Sequence, residues 1–352
     1  MDFGVSVSTR SDSWKVAKRA EELGFNSIWF YDTQMLAADP FVAMGAAAMQ
    51  TSKIRLGTGV VVPSNRIAPV TANCLGTVNG LAPGRIDFGI GTGWSARRAM
   101  GLGAQKMIDM KKYIQVVDAL LDREMIEWDF EGKPRKIKFL SPELGLINTD
   151  DPVPVHISAM GPKTRDLTAE LDVHWIDFFT TLDGSLADIA DMDRAYREGG
   201  RDPGKYRKTA FTFGCVLEDS EEPGGQRAKA QAGPVAAVTL HNAMEYGEGL
   251  FSEVAEGEPD NVKEYRGIYD GYEPKDARYL SLHKHHVMCV RPEESHLIDG
   301  DLIRNTTFTA TAPELRERLQ ALKDAGFTEI TFQITEGQEQ SIEDWAELAA
   351  SM

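Results

Sequence analysis

The chain has few cysteines and no long hydrophobic run. Its three cysteines, Cys74, Cys215 and Cys289, are widely separated in 352 residues, which excludes a small disulfide-stabilised fold and favours reduced thiols in a cytoplasm. No apolar run approaches the roughly 20 residues that a membrane-spanning helix requires. The first residues, MDFGVSVSTR, start an alternating pattern and lack the shape of a signal peptide. We therefore expect a soluble cytoplasmic protein with no membrane partner.

Positive charge is also scarce, with 38 Lys and Arg against 54 Asp and Glu and a formal net charge of −16. Such a surface disfavours nucleic acid and anionic membranes as partners. Neither a Walker sequence nor a serine-centred elbow occurs, so kinase and serine hydrolase activities have no support. Hydrophobic residues make up 42% of the chain, enough for a large core. The composition therefore favours a globular protein that acts on a small molecule.

Strand-like and helix-like segments alternate along the chain. The pattern predicts strands over residues 3–7, 27–31, 54–62, 85–90, 153–158, 175–179, 209–217 and 329–334. It predicts helices over residues 14–23, 41–49, 70–79 and 105–121. Alternation of this kind indicates parallel strands with helices packed outside them. We predict an α/β fold, a TIM (β/α)8 barrel, in preference to a doubly wound open sheet.

An internal repetition supports the barrel. AEELGFNSIWF (20–30) and LKDAGFTEITF (322–332) both run from a helix through Gly-Phe into a strand, as expected for a glycine that ends a helix. Two segments exceed what a barrel needs: a hairpin over 124–140 and a polar insertion over about 218–292, before the last helix and itself helical over 235–246. Long insertions tend to cover active sites. Without a low-complexity linker, residues 1–352 are predicted to form a single domain.

The strongest candidate site follows the predicted fifth strand, in HISAMGPKTRDLTAE (156–170). Pro162 suits the first position of a helix, because its missing N–H would have no partner there. Lys163 opposes the helix dipole by roughly 0.3–1 kcal/mol, so it either extends into water or faces a bound anion. Free N–H groups at a helix N-terminus bind phosphate, and Ser158 and Thr164 add hydroxyls. We favour the phosphate interpretation.

Other candidates lie where strands end. Asp32 ends SIWFYD and is either an acid/base or ring-nitrogen partner or a helix cap. The glycines of GIGTGW (89–94) either let a flat ligand approach, with Trp94 and Arg97 beside it, or only let strand and helix pack closely. His156, inside a strand, is expected to be a core histidine.

A histidine-rich stretch, LHKHHVMCV (282–290), raises the question of a metal. His283, His285 and Cys289 alternate and would share one face of a strand. However, no Cys-x-x-Cys accompanies them, and a zinc site usually takes a fourth, separately placed ligand. We predict no metal, and instead a structural role or a histidine that a lid contributes to a substrate pocket.

The series GFNSIWFYD, IRLGTGVVVP, LAPGRIDFGIGTG and PVHISAMGPKTRDLTAELDVHWID resembles the luciferase-like flavin- and F420-dependent oxidoreductases, and within them the branch of methylenetetrahydromethanopterin reductase. The resemblance covers about residues 1–180 and returns in TAPELRERLQALKDAGFTEITFQ. It implies a TIM barrel with reduced F420 or FMN at the strand ends and a non-proline cis peptide at Gly59-Val60 behind the ring. It also places Asp32 near the ring and the cofactor phosphate on the loop 159–164.

The predicted site combines these implications with the residues singled out above. The cofactor-binding residues are predicted to be Asp32, Gly59, Val60, Thr92, Ser158, Ala159, Met160, Gly161, Pro162, Lys163 and Thr164. The catalytic residues are predicted to be Asp32, Trp94 and His286. Several members of the family carry a histidine directly after the aspartate, whereas this chain has Thr33.

The predicted function is hydride or electron transfer from reduced F420, or FMN, to a small organic substrate such as a carbonyl, imine or activated alkene. One alternative is an FMNH2-dependent monooxygenase that uses O2 in a pocket kept dry by the long insertion. A second is a flavin-binding protein without catalysis, which Thr33 favours. The resemblance also implies a homodimer and, as a further partner, a separate flavin or F420 reductase.

Overall fold

The computed structural model describes residues 1–179, 181–246 and 259–352. In these residues the strands are β1 (Asp2–Val7), β2 (Ser27–Phe30), β3 (Arg55–Thr58), β4 (Ile86–Ile90), β5 (Ile126–Phe130), β6 (Lys133–Ile137), β7 (Val155–Ser158), β8 (His174–Phe178), β9 (Lys208–Thr212), β10 (Val216–Leu217), β11 (Ala310–Thr311) and β12 (Glu329–Ile334). The helices are α1 (Trp14–Leu23), α2 (Pro40–Ala48), α3 (Ala68–Leu81), α4 (Trp94–Arg98), α5 (Met107–Leu121), α6 (Pro162–Leu171), α7 (Leu182–Glu198), α8 (Gln226–Tyr246), α9 (Asp260–Asp270), α10 (Tyr279–Leu282), α11 (Gly300–Thr306), α12 (Ala312–Ala325) and α13 (Ser341–Ala350).

Eight of the described strands close into a barrel in the order β1-β12-β9-β8-β7-β4-β3-β2. Every neighbouring pair is parallel. The predicted TIM barrel and the β5–β6 hairpin are confirmed. The insertion predicted over about 218–292 is present, but it extends to residue 309, contains α8 to α11 and precedes α12 rather than the last helix; its residues 247–258 lie outside the described residues. None of the described helices combines the length and the apolarity that crossing a membrane requires.

Apolar side chains pack on both sides of the barrel wall. All four residues of β2, SIWF, are buried, and so are all six of β12, EITFQI. Both strands are thus covered on both faces, although Ser27 of β2 and Glu329, Thr331 and Gln333 of β12 are polar. Full burial of one large apolar side chain stabilises the fold by about 1.5–3 kcal/mol. Alternate residues of β2 join different clusters: Ile28 and Phe30 pack with the helices, whereas Trp29 packs with Ile176 and Phe211 inside the barrel.

The two predicted Gly-Phe joints are present. Helix α1 is followed by Gly24 with φ of 90°, and α12 by Gly326 with φ of 107°. Glycine adopts these left-handed angles without a Cβ clash. Phe25 and Phe327, which come next, are 5% and 2% exposed. Each joint thus ends a helix and returns the chain to the core.

The predicted bounds differ from the structure where backbone contacts redirect the chain. β3 ends at Thr58 rather than at residue 62, because the chain leaves the sheet at Gly59-Val60 and only Val61 then bridges to β4. The predicted strand 209–217 is two strands, since β10 leaves the barrel and pairs with β11. The helical prediction for 235–246 is confirmed within the longer α8. Helix α13, after the last strand, was missed.

The amino end of the barrel contains a network of ion pairs. Arg55, the first residue of β3, contacts Asp87 through Nε at 3.2 Å, Asp2 through Nη1 at 3.0 Å, and Glu329 through Nη2. Arg207 Nη1 donates to Asp87 Oδ2 at 3.0 Å. Asp87 and Glu329 are each 1% exposed. Because a buried charge without a partner is costly, loss of any one member of this network would destabilise the barrel.

Candidate active site

The loop between β7 and α6 is a helix N-terminus at the carboxyl end of the barrel. Gly161 is the N-cap of α6 and Pro162 its first residue. The N–H groups of Met160, Gly161 and Lys163 donate to no acceptor in the part of the chain that the structure describes. Adjacent backbone donors at a helix N-terminus bind anions. The loop therefore has the donors that an anion requires, and its binding of the cofactor phosphate stays a prediction.

The environment of Lys163 agrees with this. The side chain is exposed, the first turn of α6 has no acidic residue, and no carboxylate of the described residues lies within ion-pair distance of Lys163. Ser158 is half-buried beside the loop, whereas the Thr164 hydroxyl donates to Met107 Sδ at 3.3 Å. A negative group in front of this helix would thus have to come from a ligand.

The bulge after β3 lies beside β4. The peptide bond Gly59-Val60 is cis, as the resemblance implied. A Cβ on Gly91 would lie 2.9 Å from Val60 Cγ2, and one on Gly89 would lie 2.0 Å from the carbonyl oxygen of Thr58. These glycines therefore make room for the backbone of Thr58 and the side chain of Val60. The glycines are thus explained by close packing, although of β4 against the end of β3 and the bulge rather than of a strand against a helix, and approach of a ligand is not needed to explain them.

Asp32 is buried beside this bulge and is 4% exposed. Its Oδ2 accepts from Arg66 Nη1 at 2.8 Å, Asn65 Nδ2 at 3.2 Å and Val62 N at 3.3 Å. Among the described residues nothing donates to Oδ1. The helix-cap interpretation of Asp32 is wrong, because α2 is capped by Asp39. One carboxylate oxygen is thus fixed in place and the other remains available to a ligand.

Short α4 connects the three predicted catalytic residues. Asn65 Nδ2 donates to Gln34 Oε1 at 2.7 Å, and Gln34 Nε2 donates to the carbonyl oxygen of Ala96 at 2.8 Å. This path links the surroundings of Asp32 to α4. On the other side of α4, Ser95 Oγ lies 2.9 Å from His286 Nε2.

Trp94 and Thr92 lie at the start of this segment. Trp94 begins α4, is 43% exposed, and has the Arg98 guanidinium 4.9 Å from its ring centroid. Thr92 is half-buried, and its carbonyl oxygen accepts from Gln105 N at 2.9 Å. Both residues therefore lie at the carboxyl end of β4, on the side of the barrel predicted to hold the cofactor.

His286 belongs to a buried histidine cluster of the insertion. It is 4% exposed, and burial, followed by the nearby His241 and His283, lowers its pKa well below the usual value. Its Nδ1 has no hydrogen-bond partner among the described residues. The imidazole is therefore neutral at neutral pH. A neutral imidazole suits a structural hydrogen bond to Ser95 of α4 better than it suits a proton donor. The catalytic role of His286 remains a prediction.

The prediction that His283, His285 and Cys289 share one face of a strand is wrong. Helix α10 ends before His283, turns follow, and His285 and Val287 have φ of 60° and 55°. Within the described ranges, no group of three or more His, Cys, Asp or Glu residues could hold a metal ion. As predicted, His156 is a core residue, 0% exposed.

Sequence reasoning missed Gln34, Asn65 and Arg66, which surround Asp32. All three closely follow the ends of β2 and the bulge after β3. Since the carboxyl ends of barrel strands meet at one face, polar residues just after two neighbouring strands were an available signal.

Comparisons with known proteins agree with the fold. Residues 4–329 match the family model described as Luciferase-like monooxygenase. A 5,10-methylenetetrahydromethanopterin reductase of Archaeoglobus fulgidus is 30% identical over 338 residues, which cover 94% of this chain and 92% of the relative. The coenzyme F420-dependent tetrahydromethanopterin reductase of Methanopyrus kandleri has a similar fold, with a TM-score of 0.70, 19% identity, and coverage of 98% of this chain and 97% of that one.

A monooxygenase shares the fold as well. The oxygenating constituent of 3,6-diketocamphane monooxygenase of Pseudomonas putida, in complex with FMN, has a TM-score of 0.64 at 16% identity and covers 99% of this chain and 95% of its own. The similar proteins thus include one that depends on F420 and one that binds FMN.

Proposed function

The chain belongs to the luciferase-like monooxygenase family and is an oxidoreductase of that family, and from this premise we propose that it uses reduced F420 to transfer hydride to a small organic substrate. The observation that carries the proposal is the β7–α6 loop, where three N–H groups and Lys163 lack a partner among the described residues. Such a loop fits the phosphate of F420, and equally that of FMN.

The residues around the bulge fit the ring of the same cofactor. Asp32 Oδ1 would accept a hydrogen bond from a ring N–H, while Arg66 and Asn65 hold Oδ2. When bound, the reduced cofactor supplies the hydride, and the protein supplies orientation and the exclusion of water. The chain's own contribution is therefore a fixed ring position between the bulge and α4.

Aromatic side chains at the strand ends support a partly apolar substrate. Phe178, which ends β8, and Phe213, just after β9, are half-buried and lie nearly parallel, with ring centroids 6.0 Å apart and 12° between their planes. We propose that they bound the space in which a carbonyl, an imine or an activated alkene meets the cofactor.

The alternatives differ in cofactor and in turnover. An FMN-dependent monooxygenase would consume O2 and would require a separate reductase as partner, and a flavin-binding protein would show no turnover. The discriminating experiment is incubation with F420 and with FMN separately, followed by fluorescence titration and stopped-flow absorbance with a substrate panel. Tight binding of F420 with substrate-dependent oxidation of its reduced form supports the proposal. Binding of FMN alone, with O2 consumption, contradicts it.

We further propose that the protein is a homodimer joined through α2 and α3. Neither helix contains a charged residue, although 26% of the chain is charged. Val42 on α2 and Met49, directly after α2, are 70% and 67% exposed, and Val70 and Leu81 on α3 are each 45% exposed. Two copies with a net charge of −16 repel, so a two-fold interface, in which a patch meets itself, is favoured where charge is absent.

The interface is tested by Val42→Glu, because two copies of the new carboxylate would be buried close to one another. We expect a dimer in analytical ultracentrifugation for the native chain and a monomer for this variant. Leu280→Glu is the control, because Leu280 is 52% exposed and belongs to α10 rather than to α2 or α3. A native monomer, or a Val42→Glu dimer, would contradict the proposal.

We also propose that the protein works in the cytoplasm. Cys74, Cys215 and Cys289 are all free, as expected of a reducing compartment. Cell fractionation tests this, and recovery outside the cytoplasm would contradict it.

A further inference from the structure

Two buried donors hold the backbone of the β7–α6 loop from behind. Trp175 Nε1 donates to the carbonyl oxygen of Ala159 at 3.0 Å, and Arg165 Nη1 donates to the carbonyl oxygen of Met160 at 3.0 Å. Trp175 is 0% exposed and stacks on Phe327. Arg165, 5% exposed, lies in the first turn of α6. The carbonyls of two successive peptide units are therefore drawn toward the protein interior.

These two hydrogen bonds set the direction of the N–H groups. In a trans peptide the C=O and the N–H of one unit point in opposite directions, and both units here are trans. When Trp175 draws in the carbonyl of Ala159, the N–H of Met160 points away from the core. When Arg165 draws in the carbonyl of Met160, the N–H of Gly161 also points away from the core. Successive N–H groups that point outward form a concavity for an anion.

We propose that Arg165 and Trp175 are positioning residues that build the phosphate site without touching the phosphate. The inference rests on the proposed function, since it assumes a cofactor phosphate at this loop. Arg165 is not available as a direct ligand, because its Nη1 also contacts Asp188 at 2.9 Å and its Nε contacts Asp191 at 2.7 Å. The exposed Lys163 supplies the charge that meets the phosphate, and Arg165 acts through the backbone.

The geometry requires an arginine at position 165. A guanidinium donates in several fixed directions, whereas a lysine ammonium is a single flexible point charge. Arg165→Lys thus keeps the charge near Asp188 and Asp191 but loses the planar fork, and Arg165→Met loses both. Arg194 provides a matched control, because it contacts the same Asp191 at 2.8 Å and has no hydrogen bond to the loop.

The test compares cofactors with and without phosphate. Dissociation constants for FMN against riboflavin, and for F420 against its phosphate-free deazaflavin, are measured by fluorescence titration for the native chain, Arg165→Lys, Arg165→Met and Arg194→Met. We expect Arg165→Met to weaken binding of the phosphate-bearing form roughly 10-fold or more, the effect of losing a hydrogen bond to a charged group. Binding of the phosphate-free form should stay within about two-fold. Arg165→Lys should lie between, and Arg194→Met should match the native chain.

Each outcome separates the two proposals. If the native chain binds both forms equally, the phosphate site fails, and the proposed function with it. If the native chain discriminates but Arg165→Met keeps the same ratio, or weakens both forms alike, the positioning role is contradicted while the phosphate site stands. If Arg165→Met does not fold, Trp175→Phe decides, because it removes only the indole N–H and keeps an aromatic ring against Phe327. An unchanged ratio in Trp175→Phe then overturns the inference.

Discussion

The charged groups at the amino end of the barrel are paired with one another, whereas several donors of the β7–α6 loop at the carboxyl end have no partner among the described residues. At the amino end, Arg55, Asp87, Arg207 and Glu329 satisfy one another inside the wall. At the carboxyl end, Lys163 and the N–H groups around it have no partner among the described residues. A closed network stabilises the fold and leaves nothing for a ligand. Donors without a protein partner at a helix N-terminus remain available to an anion.

This contrast separates stability from function along one barrel. Changes at the amino end should lower the free energy of unfolding and leave cofactor affinity unchanged. Changes in the β7–α6 loop at the carboxyl end should weaken cofactor binding without lowering the free energy of unfolding.

The largest expected effect is at the amino end, in Asp87→Asn. The substitution leaves Arg55 and Arg207 near a neutral amide, and removal of one partner from a buried ion pair destabilises by about 3–5 kcal/mol. Urea denaturation should show this loss, and cofactor dissociation constants should not change. Asp150→Asn, in an exposed pair with Arg123, is the control and should change stability by less than about 1 kcal/mol. Equal effects of the two variants would contradict the role of the network.

The next effect is at the carboxyl end, in Lys163→Glu. The negative side chain repels the phosphate, so affinity for F420 or FMN should fall by roughly 10- to 100-fold, the loss of a charge-assisted contact. The same change should raise the free energy of unfolding by about 0.3–1 kcal/mol, because a carboxylate suits the first turn of a helix.

Fluorescence titration of Lys163→Glu with the cofactor measures the expected loss of affinity, and thermal denaturation measures the expected gain in stability. Lys112→Glu changes the net charge equally on the exposed part of α5 and should leave the affinity unchanged. An affinity of Lys163→Glu equal to that of the native chain would show that Lys163 only faces solvent.

The smallest effect, when it is measured over a single pH unit, concerns Asp177 on β8, which is 1% exposed and has no hydrogen-bond partner among the described residues. It faces Ser185 and Asp188 of α7 and Arg165 of α6; burial first, and Asp188 second, raise its pKa to about 8. The folded chain keeps this proton above the unfolded pKa of about 3.9, so stability falls as the pH rises from about 4 to about 8, by about 1.4 kcal/mol per unit.

Asp177→Asn cannot ionise and should remove this contribution. Between pH 6 and pH 7 the native chain should lose about 1 kcal/mol relative to the variant, as measured by urea denaturation at each pH. Parallel stability curves of the two proteins over this range would mean that Asp177 is ionised in the folded state.

Much of the barrel is predictable because its signals are local. The buried runs of β2 and β12 and the joints at Gly24 and Gly326 depend on neighbouring residues only. The anion loop at Pro162 and Lys163 is equally local, since a strand, a turn and a helix start follow one another in the sequence.

The partners of the site are not local and could not be predicted in the same way. Arg66 reaches Asp32 across 34 positions, and Trp175 reaches Ala159 only because β7 and β8 pair in a particular register. The alternation of His283 and His285 was misleading, because turns with positive φ replace the expected strand.

The most direct test of the central claim is a crystal structure of the protein with F420 bound and another with FMN bound. We predict that in both the phosphate lies within hydrogen-bond distance of the N–H groups of Met160, Gly161 and Lys163. A different cavity of about 450 Å³, at the ends of β1 and β12, is lined by Arg10, Lys15 and Arg19, but these cations are already paired with carboxylates. A phosphate bound there, or anywhere away from residues 159–164, would contradict the account.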